Sequence, residues 1–183
     1  MLNIRIICVG KLKEKFYTDA SKEYEKRLSG YCKLEVLEIP ECRLPAGYAI
    51  RVTVDRRGSG AGVPDTRDAK DKDALIALAL EKEGAAIIEK LAAGAMTVAL
   101  CIEGLEMDSK GLSEFLSECA IHARSRLCFI IGGSYGLHDS VKDNADVRLS
   151  LSKMTFPHNL ARIVLLEQLY RAFKISEGGK YHK

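Results

Sequence analysis

The stretch that decides the fold class is Leu127-Cys-Phe-Ile-Ile-Gly-Gly-Ser-Tyr-Gly136. Its apolar run stops abruptly at two glycines, and no alternation of polar and apolar positions marks a side that faces solvent. A short apolar run bounded by glycine is typical of a strand buried on both faces of a sheet. Strands of this kind occur in parallel sheets that helices cover on both sides.

Segments on either side of this stretch repeat the pattern. Further strands are predicted at 3–9, 34–39, 96–102 and 147–151, and helices at about 13–29, 68–93, 109–124, 139–145 and 157–173. The alternation predicts an α/β fold with a mostly parallel sheet and helices on both faces. The expected inward positions of the first and third helices are Phe16, Ala20, Tyr24, Leu28, Leu112, Phe115, Leu116, Cys119 and Ala123.

The chain has 183 residues, of which 47% are hydrophobic and 29% charged, so a single globular domain over 1–183 is expected. The segment at about 42–66 fits this pattern least well. Its residues 48–54 resemble a local strand and 56–62 a glycine-rich turn, which together indicate a surface insertion.

Targeting and metal-binding signals are weak. The N-terminal residues resemble a strand more than a signal peptide, and no apolar run is long enough to span a membrane, so we expect a cytoplasmic protein. Six cysteines are scattered without CxxC spacing. They are expected to be reduced core residues, and no metal site is predicted.

Charge is distributed unevenly along the chain. Residues 1–33 carry 8 Lys or Arg against 4 Asp or Glu, and residues 148–183 carry 7 against 2, whereas the middle is acidic. If the two ends meet in space, they would form a positive patch suited to a polyanion. Ordinary surface variation is the alternative interpretation.

Ligands of parallel α/β sheets bind at the carboxyl ends of the strands, so the loops after 96–102, 127–131 and 147–151 are the candidate site. In the second loop, 132–136, glycines either let the backbone approach a ligand or simply make a tight turn. Neither the GxGxxG nor the P-loop pattern is present.

The third loop, 151–158 (LSKMTFPH), joins a strand to a helix that begins at a proline. Its hydroxyl and apolar side chains suit an adenine and ribose ligand, and capping of the following helix is the alternative. No set of Ser, His and Asp or pair of carboxylates supports hydrolase chemistry. His182 is of interest because a Gly178-Gly179 pair precedes it, with a frayed terminus as the alternative.

Five blocks, in this order, carry a resemblance to a known family: 6–15 (IICVGKLKEK), 130–137 (IIGGSYGL), 151–158 (LSKMTFPH), 167–175 (EQLYRAFKI) and 181–183 (YHK). Together they resemble the ribosomal RNA large subunit methyltransferase H family of the SPOUT superfamily. The resemblance implies a C-terminal trefoil knot, which general topology rules would not suggest. It also implies a homodimer that uses S-adenosylmethionine to methylate N3 of a pseudouridine in 23S rRNA on the assembled ribosome.

The resemblance also assigns roles to residues by position. The cofactor-binding residues it implies are Leu100, Gly132, Leu151, Ser152, Lys153, Met154, Thr155 and Phe156. His182 is implied as the group that accepts a proton or orients the base. Arg171 and Tyr181 are implied to position the nucleotide and its phosphate.

Three features depart from the family pattern: the segment at about 42–66, Leu105 where a lysine is usual, and Glu177 where an arginine is common. Two other functions remain open at this point. One is a non-catalytic factor that binds or assembles ribosomes, and the other is a SPOUT enzyme acting on tRNA. An intact 151–156 loop argues against the first, and the absence of an appended RNA-binding domain argues against the second.

Overall fold

The computed structural model describes residues 1–44 and 66–178, and it has alternating strands and helices. In chain order the elements are β1 (Leu2–Val9), α1 (Lys15–Leu28), β2 (Cys32–Ile39), α2 (Thr66–Lys90), β3 (Met96–Glu106), α3 (Ser109–Ile121), β4 (Arg126–Ile131), α4 (Asp139–Asp143), β5 (Val147–Ser150) and α5 (His158–Ser176). The strand that decided the fold class, β4, is central and almost wholly buried.

The five strands form one sheet in the order β2-β1-β4-β3-β5, and each neighbouring pair is parallel. The predicted α/β fold with a parallel sheet is therefore confirmed. Because all strands run in the same direction, their carboxyl ends meet at one edge of the sheet. This edge brings together the loops after β1, β2, β3, β4 and β5.

Helices cover both faces of the sheet. On one face, side chains of α1, α3 and α5 pack against alternate residues of β1 and β4, with Phe129 at the centre. On the other face, α2 and α4 pack through Ile87 and Val141 against the intervening residues, such as Cys128 and Ile130. Burial on both faces explains why the strands are continuous apolar runs.

Strand β3 is longer than predicted, ending at Glu106, because it pairs with β5 twice. Leu100 and Leu105 both lie opposite Leu149, so the register shifts between them. A Cβ added at Gly104 would lie 2.6 Å from the carbonyl carbon of Leu149. Only a glycine lets the two backbones approach so closely.

Two of the expected inward positions are wrong. Helix α3 ends at Ile121, and Ala123 is exposed with a φ of 58°, so the apolar spacing continued beyond the end of the helix. Phe16 lies in the first turn of α1 and is 63% exposed.

The two basic ends of the chain do meet, because α1 packs against α5. The sequence of α5 carries apolar side chains on more than one face, a pattern that predicts an interface with a second copy. However, Leu165, Leu166 and Leu169 are completely buried within the chain's own core. These three leucines therefore supply no surface for a partner.

Some predictions fall outside the described residues. These are the local strand at 48–54, the turn at 56–62 and most of the proposed insertion at 42–66, together with Tyr181 and His182. Within 1–44 and 66–178, no helix combines the length and the apolar character needed to cross a membrane.

Candidate functional site

A cleft of about 850 Å³ opens at the carboxyl ends of β3, β4 and β5. Its walls come from the ends of these strands and the segments that follow them, from the start of α5 and from Lys142 of α4; the strand-end segments are 100–103, 131–137, 149–152 and 154–156. These are the three loops at which the sequence predicts a ligand. The parallel sheet explains why they converge, since each loop leaves the same edge.

The loop after β4 is a tight turn closed by its own backbone. The Gly136 amide donates to the carbonyl of Gly133 at 3.1 Å, and Gly136 has a φ of 88°. A Cβ on Gly132 would collide with the carbonyl oxygen of Gly136. Gly132 is thus required by the turn itself, and the turn then presents its backbone to the cleft.

The loop after β5 is shaped by short-range hydrogen bonds. Ser150 donates from its hydroxyl to the carbonyl of Ser152 at 3.0 Å, and the Ser152 hydroxyl accepts from the amide of Met154 at 3.0 Å. Helix α5 has Pro157 as its N-cap and no side-chain capping bond, so the alternative that this segment caps the helix is wrong. Met154 is 71% exposed and borders the cleft.

Charged groups stand at the outer rim of the cleft. The Lys142 ammonium lies 3.0 Å from a carboxylate oxygen of Glu103 and 2.8 Å from one of Asp139. The hydrogen bond to Asp139 is the main cause that raises the pKa of Lys142, and the bond to Glu103 acts in the same direction. The rim therefore offers both signs of charge, whereas the inner walls are mainly apolar side chains and backbone.

A second group of polar residues adjoins the cleft on the side of β1 and β2. Glu41, which follows β2, accepts a hydrogen bond of 2.5 Å from the hydroxyl of Ser134. That bond holds the pKa of Glu41 below its ordinary value, and the charges of His158 and Lys13 act in the same direction. His158 itself lines the cleft. We call Glu41, Ser134 and His158 the polar cluster.

Helix α2 contacts the segment after β2 and the turn after β4 through the side chain of Glu83. The Glu83 side chain is buried, and its Oε1 accepts the amide hydrogen of Cys42 at 2.7 Å. Its other oxygen lies 3.4 Å from the position that a Cβ of Gly133 would occupy. Burial raises the pKa of Glu83 above its ordinary value. The carboxyl group thus ties α2 to the segment after β2, beside the turn after β4.

Most of the predicted cofactor residues lie together. The lining of the cleft includes Leu100, Gly132, Leu151, Ser152, Met154, Thr155 and Phe156. Lys153 belongs to the same loop, but it is exposed and does not line the cleft.

The structure does not bring Arg171 to this cleft. Its guanidinium binds Glu167 one turn earlier on α5, with nitrogen–oxygen distances of 2.9 and 2.7 Å. Thirteen residues separate it from His158, which is about 20 Å along a helix. Tyr181 and His182 lie outside the described residues.

The sequence did not indicate the contacts that Glu41 and Glu83 make or that His158 lines the cleft. A weak signal was present at Glu83-Gly84, since a glycine inside a helix usually has a packing reason. A Cβ on Gly84 would approach the Cβ of His138 to 3.0 Å. Across the described part of the chain, no group of three His, Cys, Asp or Glu residues is arranged to hold a metal ion.

Comparison with protein families gives a match over nearly the whole chain. The matching family is described as "Predicted SPOUT methyltransferase", and the match covers residues 2–182. The chain belongs to the SPOUT methyltransferase family. Membership of this family agrees with a cleft built at the strand ends of a parallel sheet, and it makes a methyl transferase activity the basis for interpreting that cleft.

Three curated relatives align with this chain over 182 residues, which is 100% of this chain and 100% of each relative. Proteins from Clostridioides difficile, Clostridium botulinum and Bifidobacterium animalis subsp. lactis are 39%, 42% and 42% identical to it. Each of the three is named ribosomal RNA large subunit methyltransferase H.

Among solved structures, a probable methylase family protein from Haemophilus influenzae Rd KW20 aligns with a TM-score of 0.50 and 12% identity. The alignment covers 100% of this chain and 71% of that one. At this identity the likeness concerns the fold alone.

Proposed function

We propose that this SPOUT protein transfers a methyl group from S-adenosylmethionine to N3 of a pseudouridine in 23S rRNA of the assembled ribosome. The observation that carries the proposal is the cleft, because seven of the eight residues that the resemblance assigns to the cofactor line it. The names of the full-length relatives support ribosomal RNA as the substrate.

The residues of the cleft fit such a cofactor. The apolar side chains of Leu100, Leu151 and Met154 offer cover for an adenine ring, and the turn 132–136 offers backbone groups that can bind its polar edge. S-adenosylmethionine supplies a methyl group that is already electrophilic because it is bound to a positively charged sulfur. The task left to the protein is to align the acceptor atom and to remove its proton.

We extend the proposal to the architecture of the chain. One domain over 1–183 carries a surface insertion at about 42–66, between the end of β2 and the start of α2. A trefoil knot in the C-terminal part is proposed from membership of the SPOUT methyltransferase family.

A homodimer is also part of the proposal. Arg171 is about 20 Å along α5 from the cleft of its own chain, so a role for it in nucleotide binding requires a second copy. Tyr181 and His182 would then contribute to the site from the C-terminal tail. The basic ends, which meet where α1 packs on α5, are proposed to contact the RNA backbone.

The test combines binding and transfer. Calorimetric titration with S-adenosylmethionine in the presence of a chelator should give stoichiometric binding. Tritiated methyl groups should then be incorporated into 70S ribosomes that lack the modification, and mass mapping should locate the methyl group on N3 of one pseudouridine. Binding to ribosomes without incorporation would identify a non-catalytic factor. Incorporation into tRNA instead would identify a different SPOUT substrate.

A further inference from the structure

The position of His158 suggests a role in the reaction that rests on the proposed function. Its imidazole lines the cleft built by β3, β4 and β5, and it also lies against the end of β1. A Cβ added at Gly10, just after β1, would be 3.2 Å from Nε2 of His158. The ring therefore occupies the boundary between the cofactor cleft and the open edge above β1 and β2.

A partly buried ion pair joins the start of α5 to β2. Arg162, one turn after His158, binds Glu38 of β2 with an Nη1–Oε1 distance of 2.7 Å, and the Arg162 side chain is 8% exposed. Three residues beyond Glu38, Glu41 is bonded to Ser134, which lines the same cleft as His158, and the charge of His158 acts on Glu41. Because residues four apart lie on the same side of a helix, the two basic side chains of α5 face the two acidic ones.

The carboxylate of Glu41 is held in place by the neighbouring loop. The hydroxyl of Ser134 donates to it at 2.5 Å, and the segment that carries Glu41 is tied to α2 through the bond from the Cys42 amide to Glu83. Lys13 also lowers the pKa of Glu41, and the charge of Glu41 in turn raises the pKa of Glu83. An ionised carboxylate at this edge of the cleft favours a positive charge that forms nearby during a reaction.

We propose that His158 accepts the N3 proton of the target base during methyl transfer, with Glu41 as the positioning residue that stabilises the imidazolium. In the step, the N3–H bond breaks and its proton goes to the imidazole. N3 forms a bond to the methyl carbon, and the bond between this carbon and sulfur breaks with its electron pair left on sulfur. Imidazole is suited to this task because it accepts and releases protons near neutral pH.

The assignment differs from the one implied by the family resemblance, which gives the proton to His182. His158 is the first residue of helix α5 and lines the cleft itself, as does Ser134, which follows β4 and binds Glu41. A base on a helix keeps its distance to the reacting atom more closely than one on a terminal tail. The two assignments predict different effects of substitution.

The experiment measures single-turnover methyl transfer to unmodified 70S ribosomes at saturating S-adenosylmethionine, as a function of pH. For His158→Gln we expect a loss of about 100-fold near neutral pH. The loss should shrink at alkaline pH, where N3 ionises without help. Calorimetry should give a cofactor Kd within about threefold of the unaltered protein. Glu41→Gln should lose about tenfold, and its pH profile should shift to lower pH because the imidazolium loses the carboxylate that stabilises it.

His122→Gln is the matched control, because His122 is exposed at the end of α3, at the opposite edge of the sheet. It should leave transfer unchanged. Near-normal transfer by His158→Gln at neutral pH would overturn the proposal. So would an equal loss at every pH, or a defect confined to cofactor affinity, since each would indicate a merely structural role.

The unaltered protein separates this proposal from the proposed function. If it methylates N3 and His158→Gln does so equally well, only the assignment of the proton acceptor fails. If the unaltered protein transfers no methyl group to N3, the proposed function fails and the assignment fails with it.

Discussion

The two halves of the sheet's carboxyl edge are built by different means. Above β3, β4 and β5, the cleft is formed mainly by backbone and apolar side chains, and its shape depends on close approaches at Gly104 and Gly132. Above β1 and β2, charged side chains dominate, with the pairs Arg162–Glu38 and Ser134–Glu41 and the buried Glu83. The first half suits shape recognition of a ligand, and the second suits the movement of a proton.

The largest expected effect comes from breaking the backbone half. In Gly104→Ala the new Cβ would lie 2.6–2.7 Å from backbone atoms of Arg148 and Leu149, so β3 and β5 must separate. We expect a loss of at least about 3 kcal/mol in the free energy of unfolding. Urea denaturation followed by circular dichroism measures it. Gly30→Ala, where no atom lies within 4 Å, is the control and should stay within about 0.5 kcal/mol of the unaltered protein.

The next effect tests whether the charged half supports the cleft. Glu83→Ala leaves the amide of Cys42 without its acceptor and leaves a gap beside Gly133. We expect a loss of about 2 kcal/mol in stability and a cofactor Kd raised about tenfold. Glu83→Gln keeps an acceptor oxygen and should restore the affinity to within about threefold. Equal affinities for the alanine variant and the unaltered protein would show that the two halves are independent.

A smaller effect is expected at the open wall of the cleft. Met154 is 71% exposed, so shortening its side chain should leave the stability of the protein unchanged. If its side chain covers the bound cofactor, Met154→Ala should weaken binding by about 1 kcal/mol, or roughly fivefold. Lys153→Ala, one residue away and outside the cleft, is the matched control. A larger effect of the lysine substitution would contradict this view of the loop.

The smallest effect concerns the amino ends of β3 and β5. Asp146 accepts hydrogen bonds from the amide and hydroxyl of Thr97 at 2.7 and 2.8 Å, and the bond from the amide is the main cause that lowers the pKa of Asp146. A lowered pKa stabilises the fold above the pKa of the unfolded state, and this contribution disappears as pH falls through the folded value.

We therefore expect Asp146→Asn to cost about 1 kcal/mol or less at neutral pH, given the exposure of the site. The difference from the unaltered protein should vanish in acid. Thermal unfolding of both proteins between neutral and acidic pH measures it. A difference that stays constant with pH would show that the carboxylate charge is not responsible.

Residues close in sequence were predicted well. The apolar run at Leu127 and its neighbours correctly indicated a strand buried on both faces, and the loops after β3, β4 and β5 were correctly chosen as the candidate site. Both inferences depend on local pattern and on a general property of parallel sheets. Their failures were also local, as at Ala123, where the apolar spacing outlasted the helix.

The sequence by itself therefore determined the α/β class, the order of the elements and the segments that line the cleft. Only the tertiary structure decided that Glu41 bonds Ser134 beside the cleft that His158 also lines, because 93 residues separate the bonded pair and no periodic pattern links them. It also decided why Gly104 and Gly132 are glycines, since the atoms that exclude a side chain belong to other parts of the backbone. Periodicity reports burial along one element, whereas such contacts depend on how several elements pack together.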